Sequence, residues 1–465
     1  MSEVIKKPSG CNGDRRVLIV TYDWPPSGAV GATRLVKLTK YLINDGWKPT
    51  ILTVKPALYE RAQKAACNDL GVAVIRTAAI PGIAGAYGRV KGRVSGFISG
   101  TDRPSGDLLS TEQLSQRKPK HLHNRFARLL LSLLLTPDEF QGWLPFAVAR
   151  ALSVIKGSGI GCVVTSAPPF TSHLIGLIIK LSVPSVRWVA DFRDPWTENR
   201  QRAVTTRMSE TINSWLEGKV VRRADRIVMV TAAMAAWYRN RYQDVKSNRW
   251  VTITNGFDRL DYTISKRATD KFTISYIGSI EYDRSPESVF IAIAQLCQEC
   301  LVEKGCVRIV LIGKCRQMAG KRTEEVLKDL SLADVAEISD LLPREVALQQ
   351  MVTSDVLLLL AARQELQVPA KAYEYIASGP FILALTEEKS ATADLMRQVG
   401  NAAVVDEDDI DAIKAILLER YTEWQLRRGQ GGAVKHQRDN VCLEEYEWSS
   451  LGHRYSSLLR DLQHS

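Results

Sequence analysis

Short unbroken apolar runs, each followed by a helical stretch, recur along this chain and constrain its fold more than any other feature. The first, RVLIVTY at 16–22, has the composition of a strand buried on both faces of a parallel sheet. After the loop DWPPSGAVGA comes a helical pattern through Leu35, Leu38, Tyr41 and Leu42, which stops at Asp45-Gly46. Residues 50–54 and 72–76 read as the next two strands, making a βαβ unit. Strands are expected again at 162–166, 186–192, 226–231 and 251–254, with helices at 171–181 and 206–223. Asn255-Gly256 then supplies a turn. The second half repeats the rhythm with strands at 272–277, 307–312, 335–338, 356–360, 381–385 and 402–405. Two such series predict an α/β protein of two doubly wound, Rossmann-like domains facing one another across a cleft.

Length agrees with two domains, since 465 residues with 45% apolar content exceed one ordinary core. The expected divisions are a first domain at 1–256, a second at 257–440 and a closing helix at 441–465. That amphipathic helix carries Tyr446, Trp448 and Leu451 and is expected to pack back on the first domain. Residues 257–271 read as the linker. An insertion at 81–136 breaks the rhythm, and its Lys and Arg outnumber its Asp and Glu nine to three. It ends in NRFARLLLSLLL at 124–135, which fits either docking on an anionic lipid surface or a buried connecting helix.

A net charge of +11 favours anionic partners, whether nucleic acid, phosphate-bearing substrates or a membrane surface. No nucleic-acid-binding module is recognisable, so no nucleic-acid partner is expected. The first 16 residues are polar, and no apolar run reaches the roughly 18 residues that span a bilayer. Eight cysteines lie without a disulfide-like framework, which suits a reduced, cytoplasmic setting. Cys297 and Cys300 have CxxC spacing but no neighbouring His, so inert helix cysteines are expected and no metal site.

Candidate chemistry clusters where strands run into helices. In PPSGAVGATR, Gly28 and Gly31 let the backbone approach a ligand at a helix N-terminus, although a plain tight turn explains them equally. The GxGxxG dinucleotide fingerprint is absent. His173, in SAPPFTSH, stands at a strand-to-helix junction as a site residue or a packing histidine. Asp191 ends the next strand in DFRDPW, at the sheet edge where such folds bind ligands, and Asp194 can pair with Arg193 or cap a turn. In the second half Gly278 ends a strand, and Arg284 precedes a helix start where it can reach a phosphate. Lys371 and Glu374 share a helix face, either as a surface ion pair or as a phosphate-binding cation and a ribose-binding carboxylate.

These pieces, in this order, resemble glycosyltransferase family 4, retaining enzymes of the GT-B fold. The resemblance runs from about residue 17 to 417 through VLIVTYDWPPSGAVGATR, VADFRDPWT, ADRIVMVT, ITNGFD, ISYIGSI and AKAYEYIASGPFILAL. It implies a nucleotide-sugar donor held mainly by the second domain, with the acceptor met by the first. Glu374 matches the second Glu of the family's E-x7-E pattern, which holds the nucleotide ribose. Arg284 matches the basic position that neutralises the donor diphosphate. His173 and Asp191 fall near the active-site positions of the first domain. The catalytic set so implied is His173, Asp191 and Arg284; the donor-binding set is Gly28, Gly31, Gly278, Arg284, Lys371 and Glu374. Leu366 stands where the first Glu of the pattern belongs, with Glu365 one position away, and Ser279 replaces a frequent basic residue.

The resulting expectation is a metal-independent hexosyltransferase with no cofactor. Its donor would be a nucleotide sugar, and its acceptor a lipid-linked sugar or a cell-surface polysaccharide precursor. The expected location is cytoplasmic, with an anionic inner membrane face as a further partner. A GT-B protein that binds nucleotide sugar without turnover, and a nucleotide-sugar epimerase or hydrolase, are the competing readings.

Overall fold

The computed structural model describes residues 15–59, 70–80, 125–198, 206–259, 270–280, 284–318, 320–429 and 443–463. Most of the basic insertion and most of the expected linker lie outside these residues. The chain divides into two compact units. One comprises Met1–Val228, Tyr242–Val251 and Gly452–Ser465, the other Met229–Arg241 and Thr252–Leu451.

The first unit is built on a seven-stranded sheet of order β3-β2-β1-β4-β5-β6-β7. The strands are β1 (Arg16–Val20), β2 (Lys48–Val54), β3 (Ala73–Thr77), β4 (Cys162–Ala167), β5 (Arg187–Phe192), β6 (Arg226–Met229) and β7 (Trp250–Thr252). Pairings from β3 through β5 are parallel. Every residue of β4 is buried, as the continuous apolar runs require of strands covered on both faces. Strand order reverses between β1 and β4, so helix α1 (Val30–Asn44) and the helix after β4 leave on divergent courses. A crevice at such a switch point is where open α/β sheets bind ligands.

Helices α2 (Arg125–Leu134), α3 (Leu144–Ser158), α4 (Thr171–Ser182) and α5 (Arg207–Arg223) complete the unit's covering layers. Helix α4 has no cap of its own, and Asp138 supplies one from a distance. The Thr171 amide donates to Asp138 at 2.8 Å and the Thr171 hydroxyl at 2.6 Å. Burial pushes the Asp138 carboxyl above its ordinary range, and the Thr171 hydrogen bonds oppose that shift. Asp138→Ala is expected to lower unfolding stability by about 1–2 kcal/mol, the usual loss for a helix cap, as read by urea denaturation.

The second unit holds a six-stranded, all-parallel sheet of order β12-β9-β8-β13-β14-β15. Its strands are β8 (Phe272–Ile277), β9 (Val307–Ile312), β12 (Ala336–Ser339), β13 (Val356–Leu360), β14 (Phe381–Leu385) and β15 (Ala402–Val405). A two-stranded hairpin, β10 (Gln317–Met318) with β11 (Lys321–Arg322), follows β9. Strand order reverses between β8 and β13, again a switch point. One face of the sheet packs on a core through Phe290, Ile293, Leu358 and Tyr421, the other on one through Leu357, Leu359, Tyr375 and Leu395.

The strand expected at 226–231 ends at Met229, and helix α6 (Ala232–Arg241) follows it without a predicted counterpart. The reason is local. The Thr231 hydroxyl accepts from the Met234 amide at 3.0 Å, capping the helix, and donates to the Leu366 carbonyl at 2.6 Å. The second unit's further helices are α7 (Glu287–Gln298), α8 (Thr323–Asp329), α9 (Arg344–Thr353), α10 (Ala370–Ser378), α11 (Ala391–Val399) and α12 (Ile410–Gly429), and the closing segment is a short turn at Leu443–Tyr446 followed by helix α13 (Trp448–Gln463). Within the second unit the Phe257 amide donates to the Tyr446 carbonyl at 3.1 Å, and the Trp448 amide donates to the Phe257 carbonyl at 2.9 Å. From Gly452 onward the helix packs on the first unit, where the Trp47 indole donates to Ser456 at 3.0 Å.

Candidate active site

At the first unit's switch point, Arg34 of α1 donates to both oxygens of Asp191, at 2.9 Å and 3.3 Å. Ser166, at the end of β4, donates to the same carboxylate at 2.8 Å. Arg34 is 3% exposed and Asp191 0%. Asp191 therefore neutralises a buried arginine and fastens α1 to the ends of β4 and β5. His173 is also fully buried, among Phe170, Phe192 and Trp196. The Trp188 indole donates to Thr165 Oγ1 at 2.9 Å, and that hydroxyl lies 2.8 Å from His173 Nδ1. This hydrogen bond fixes the orientation of the ring.

Burial pulls the His173 pKa down to about 3, against a smaller opposite pull from Asp191. The unfolded chain binds this proton below about pH 6.5 while the folded chain does not. Stability linked to His173 is therefore full above pH 6.5 and falls as pH drops, by up to about 1.4 kcal/mol per unit. Denaturation of wild type and His173→Gln between pH 4 and 7 is expected to show this extra slope only in the wild type.

Gly28 lies half-buried in the loop between β1 and α1, and Gly31 sits in the first turn of α1. The Arg193 guanidinium covers Gly31 so closely that a Cβ there would fall on it. Arg193 is 9% exposed and donates to the Pro168 carbonyl. Its Nε and Nη1 are buried without a hydrogen-bond partner. Burial lowers its pKa, and Asp23, Asp194 and Asp191 act in the other direction. The loop bearing Arg193 is tied down beyond it: the Trp196 indole donates to Asn213 at 2.9 Å and the Thr197 amide to Glu217 at 2.9 Å.

At the second unit's switch point, β8 is followed directly by Gly278, whose φ of +155° favours glycine. A Cβ there would also strike the Lys371 ammonium. Lys371 and Glu374 lie on α10 (Ala370–Ser378), which follows β13. The Lys371 ammonium donates to the Tyr276 hydroxyl at 3.0 Å and stands 4.4 Å from that ring's centroid. Tyr276 in turn donates to the Ser279 carbonyl at 2.7 Å. Tyr375, behind them, accepts from the Ile277 amide at 3.0 Å. Three helical residues on, Glu374 accepts from Arg344 at 3.0 Å, at the start of helix α9 (Arg344–Thr353). Arg284 stands just before helix α7 (Glu287–Gln298).

The expected residues thus fall into two groups. Gly278 and Lys371 are in direct contact, with Glu374 one helical turn away; Gly31 and Asp191 are joined to one switch point through Arg193 and Arg34. Leu366, at the position of the missing Glu, offers its carbonyl to Thr231. The expectations above single out neither Arg34, Arg344 nor Tyr276 as a site residue, and they consider Arg193 only as a partner for Asp194. Arg34 and Arg193 both stand inside motifs already singled out, but a sequence does not show which arginine turns inward. Among the described residues, no group of three or more His, Cys, Asp or Glu is placed to hold a metal ion.

Residues 28–256 match the family model described as "Glycosyl transferase 4-like domain". No curated protein matches the sequence significantly. Among solved structures, sucrose-phosphate synthase from Thermosynechococcus elongatus aligns with TM-score 0.65 and 14% identity, covering 97% of this chain and 99% of that one. Anabaena Alr3699/HepE in complex with UDP-glucose aligns with TM-score 0.58 and 11% identity, covering 96% and 99%. WaaG, a glycosyltransferase involved in lipopolysaccharide biosynthesis, aligns with TM-score 0.58 and 14% identity, covering 95% and 99%. At such identities structural likeness speaks for the fold, and the matched domain speaks for the family. The two doubly wound sheets and the whole-chain alignments agree on a GT-B fold, and within it residues 28–256 form a glycosyl transferase 4-like domain.

Proposed function

We propose that this glycosyltransferase is a retaining, metal-independent hexosyltransferase that takes its sugar from a nucleoside diphosphate donor. The supporting observation is Lys371. It is the second residue of α10, a helix whose first turn holds no acidic residue, so its charge adds to the positive end of the helix dipole. The Tyr276 face and hydroxyl hold the cation there. Such a concentration of positive charge beside a glycine suits an incoming diphosphate. In this reading Gly278 lets the phosphates approach, Lys371 and Arg284 neutralise them, and Glu374 accepts two ribose hydroxyls.

The bond between the sugar's anomeric carbon and the diphosphate oxygen breaks, and a bond to the acceptor oxygen forms on the same face. The acceptor proton passes to the departing phosphate, so no histidine base is required. Developing negative charge on the leaving group is stabilised by cations already in place. In the first unit, Gly28 and Gly31 meet the substrate, while Asp191 and His173 position the surrounding loops from beneath.

The proposed acceptor is a lipid-linked or cell-surface polysaccharide precursor, handled at the cytoplasmic face of an anionic membrane. No described helix is long and apolar enough to cross a membrane. Leu366 in place of the first Glu favours a second reading, a GT-B protein that binds nucleotide sugar without transfer. Screening nucleotide sugars by thermal shift decides first, because a ligand specific to the folded state raises the melting point. Incubating the stabilising sugar with acceptors then separates the two readings. A donor consumed only when acceptor is present supports the transferase; binding without consumption supports the second reading; a panel with no stabilising nucleotide sugar refutes both.

A further inference from the structure

We propose that Tyr276 is a positioning residue for the donor diphosphate: with Gly278 it forms a socket that holds the Lys371 ammonium beside the end of β8. This deepens the transferase reading given above and rests on it for the ligand.

The socket is assembled from β8, the loop after β9 and α10. Tyr276 lies in β8 and is 2% exposed. Its hydroxyl donates to the Ser279 carbonyl at 2.7 Å, which leaves the oxygen's lone pairs to accept from the Lys371 ammonium at 3.0 Å. The ring adds a second attraction, since the ammonium stands 4.4 Å from its centroid. Gly278 supplies the space, and the ammonium fills the place where a Cβ would stand.

That glycine is fixed on every side. Its amide donates to the Ile312 carbonyl at 2.8 Å, and its carbonyl accepts from the Cys315 thiol at 3.3 Å. Gly313 packs so tightly on the same carbonyl that a Cβ on Gly313 would strike it. Helix α10 is pinned to the same spot. Tyr375, four residues after Lys371 and on the same helix face, accepts from the Ile277 amide at 3.0 Å.

The arrangement has a chemical purpose. A lysine carries its charge on a flexible four-carbon stem, and ordering that stem when a ligand arrives costs affinity. Tyr276 orders it beforehand through two contacts. The tyrosine brings no charge of its own, so it fixes the cation without neutralising it. Gly278 thus serves the cation as well as the ligand, and Tyr276 acts on the diphosphate only through Lys371.

The test is titration calorimetry on the full chain with UDP, GDP, ADP, CDP and dTDP, followed by variants measured with the diphosphate that wild type binds best. Tyr276→Leu is expected to weaken it about tenfold, and Tyr276→Phe, which keeps the ring, about threefold. In the Lys371→Met background, adding either Tyr276 change is expected to weaken binding no further. A merely structural tyrosine would instead give losses that multiply. Adding Ser279→Lys to Lys371→Met returns an ammonium to the same strand end and is expected to restore affinity about fivefold or more. Should Tyr276→Leu fail to fold, Tyr276→Phe in both backgrounds and the Ser279→Lys rescue decide. Full affinity in the Tyr276 variants, multiplying losses or an absent rescue overturns the proposal. Failure of the donor reading is separate: wild type then binds none of the five diphosphates, and this proposal falls with it.

Discussion

Lys371→Met is expected to weaken nucleotide-sugar binding by about ten- to a hundredfold and to lower the transfer rate further. A charge-assisted contact with phosphate contributes about 1.5–3 kcal/mol, and each 1.4 kcal/mol is a factor of ten. The cation matters more as the diphosphate departs, because charge then builds on the bridging oxygen; one well-placed electrostatic donor contributes about 3 kcal/mol there. Glu374→Ala is expected to weaken binding by about tenfold without the additional rate loss, since the ribose contact is equal in ground and transition states. The fold is expected to survive both changes. The Glu374–Arg344 pair leaves Arg344 53% exposed, and exposed ion pairs contribute only about 0–1 kcal/mol. Calorimetry with the stabilising nucleotide sugar and steady-state kinetics read these effects. Normal affinity in both variants would remove the second-unit switch point from consideration as the donor site.

Arg34→Met is expected to be the most damaging single change to stability, lowering it by about 3–5 kcal/mol. The substitution strands the fully buried Asp191 carboxylate, and removing one partner of a buried pair costs far more than the pair itself contributes. Ser166 alone then remains to satisfy it. Replacing both partners, as in Arg34→Met with Asp191→Leu, is expected to recover much of the loss, because apolar groups of similar volume often replace buried ion pairs without penalty. Urea unfolding of the three variants forms a double-mutant cycle, and a loss in the double variant equal to the sum of the singles would refute the coupling.

Much of the fold was legible because buried parallel strands leave unbroken apolar runs. RVLIV, CVVTSA and VLLLL appear as strands with boundaries within a residue or two of expectation. The helix Ala232–Arg241 escaped because alanines and a Thr cap carry little periodicity, and a hydroxyl that ends a strand in sequence begins a helix in space. The two-residue hairpin strands were too short to leave a pattern. For the candidate site, the positions of Gly31 and Gly278 at helix and strand ends were readable from chain punctuation, and the shared helix face of Lys371 and Glu374 from their spacing of three. The interior of the first unit was not. Asp191 and His173 stood at the expected sheet edge, but their burial depends on Arg34, Thr165 and Trp188, each brought in from elsewhere in the chain. The direction in which Arg193 turns is likewise set by Gly31 and Pro168, more than 150 and about 25 positions earlier.

The closing helix carries an implication for biogenesis. Tyr455 is buried close enough to the Arg34–Asp191 pair that Asp191 acts on its hydroxyl, after burial itself, to raise its pKa. Trp47 and Tyr41 also meet partners on this helix, at Ser456 and Gly452. On the ribosome, the amino-terminal half is made first yet lacks this cover until residues 448–463 have followed the second unit, so its interior completes only after that unit has been made. A protein lacking this helix would retain both sheets' worth of strands but leave a tryptophan donor and a tyrosine-lined face open to water, a state prone to association with chaperones.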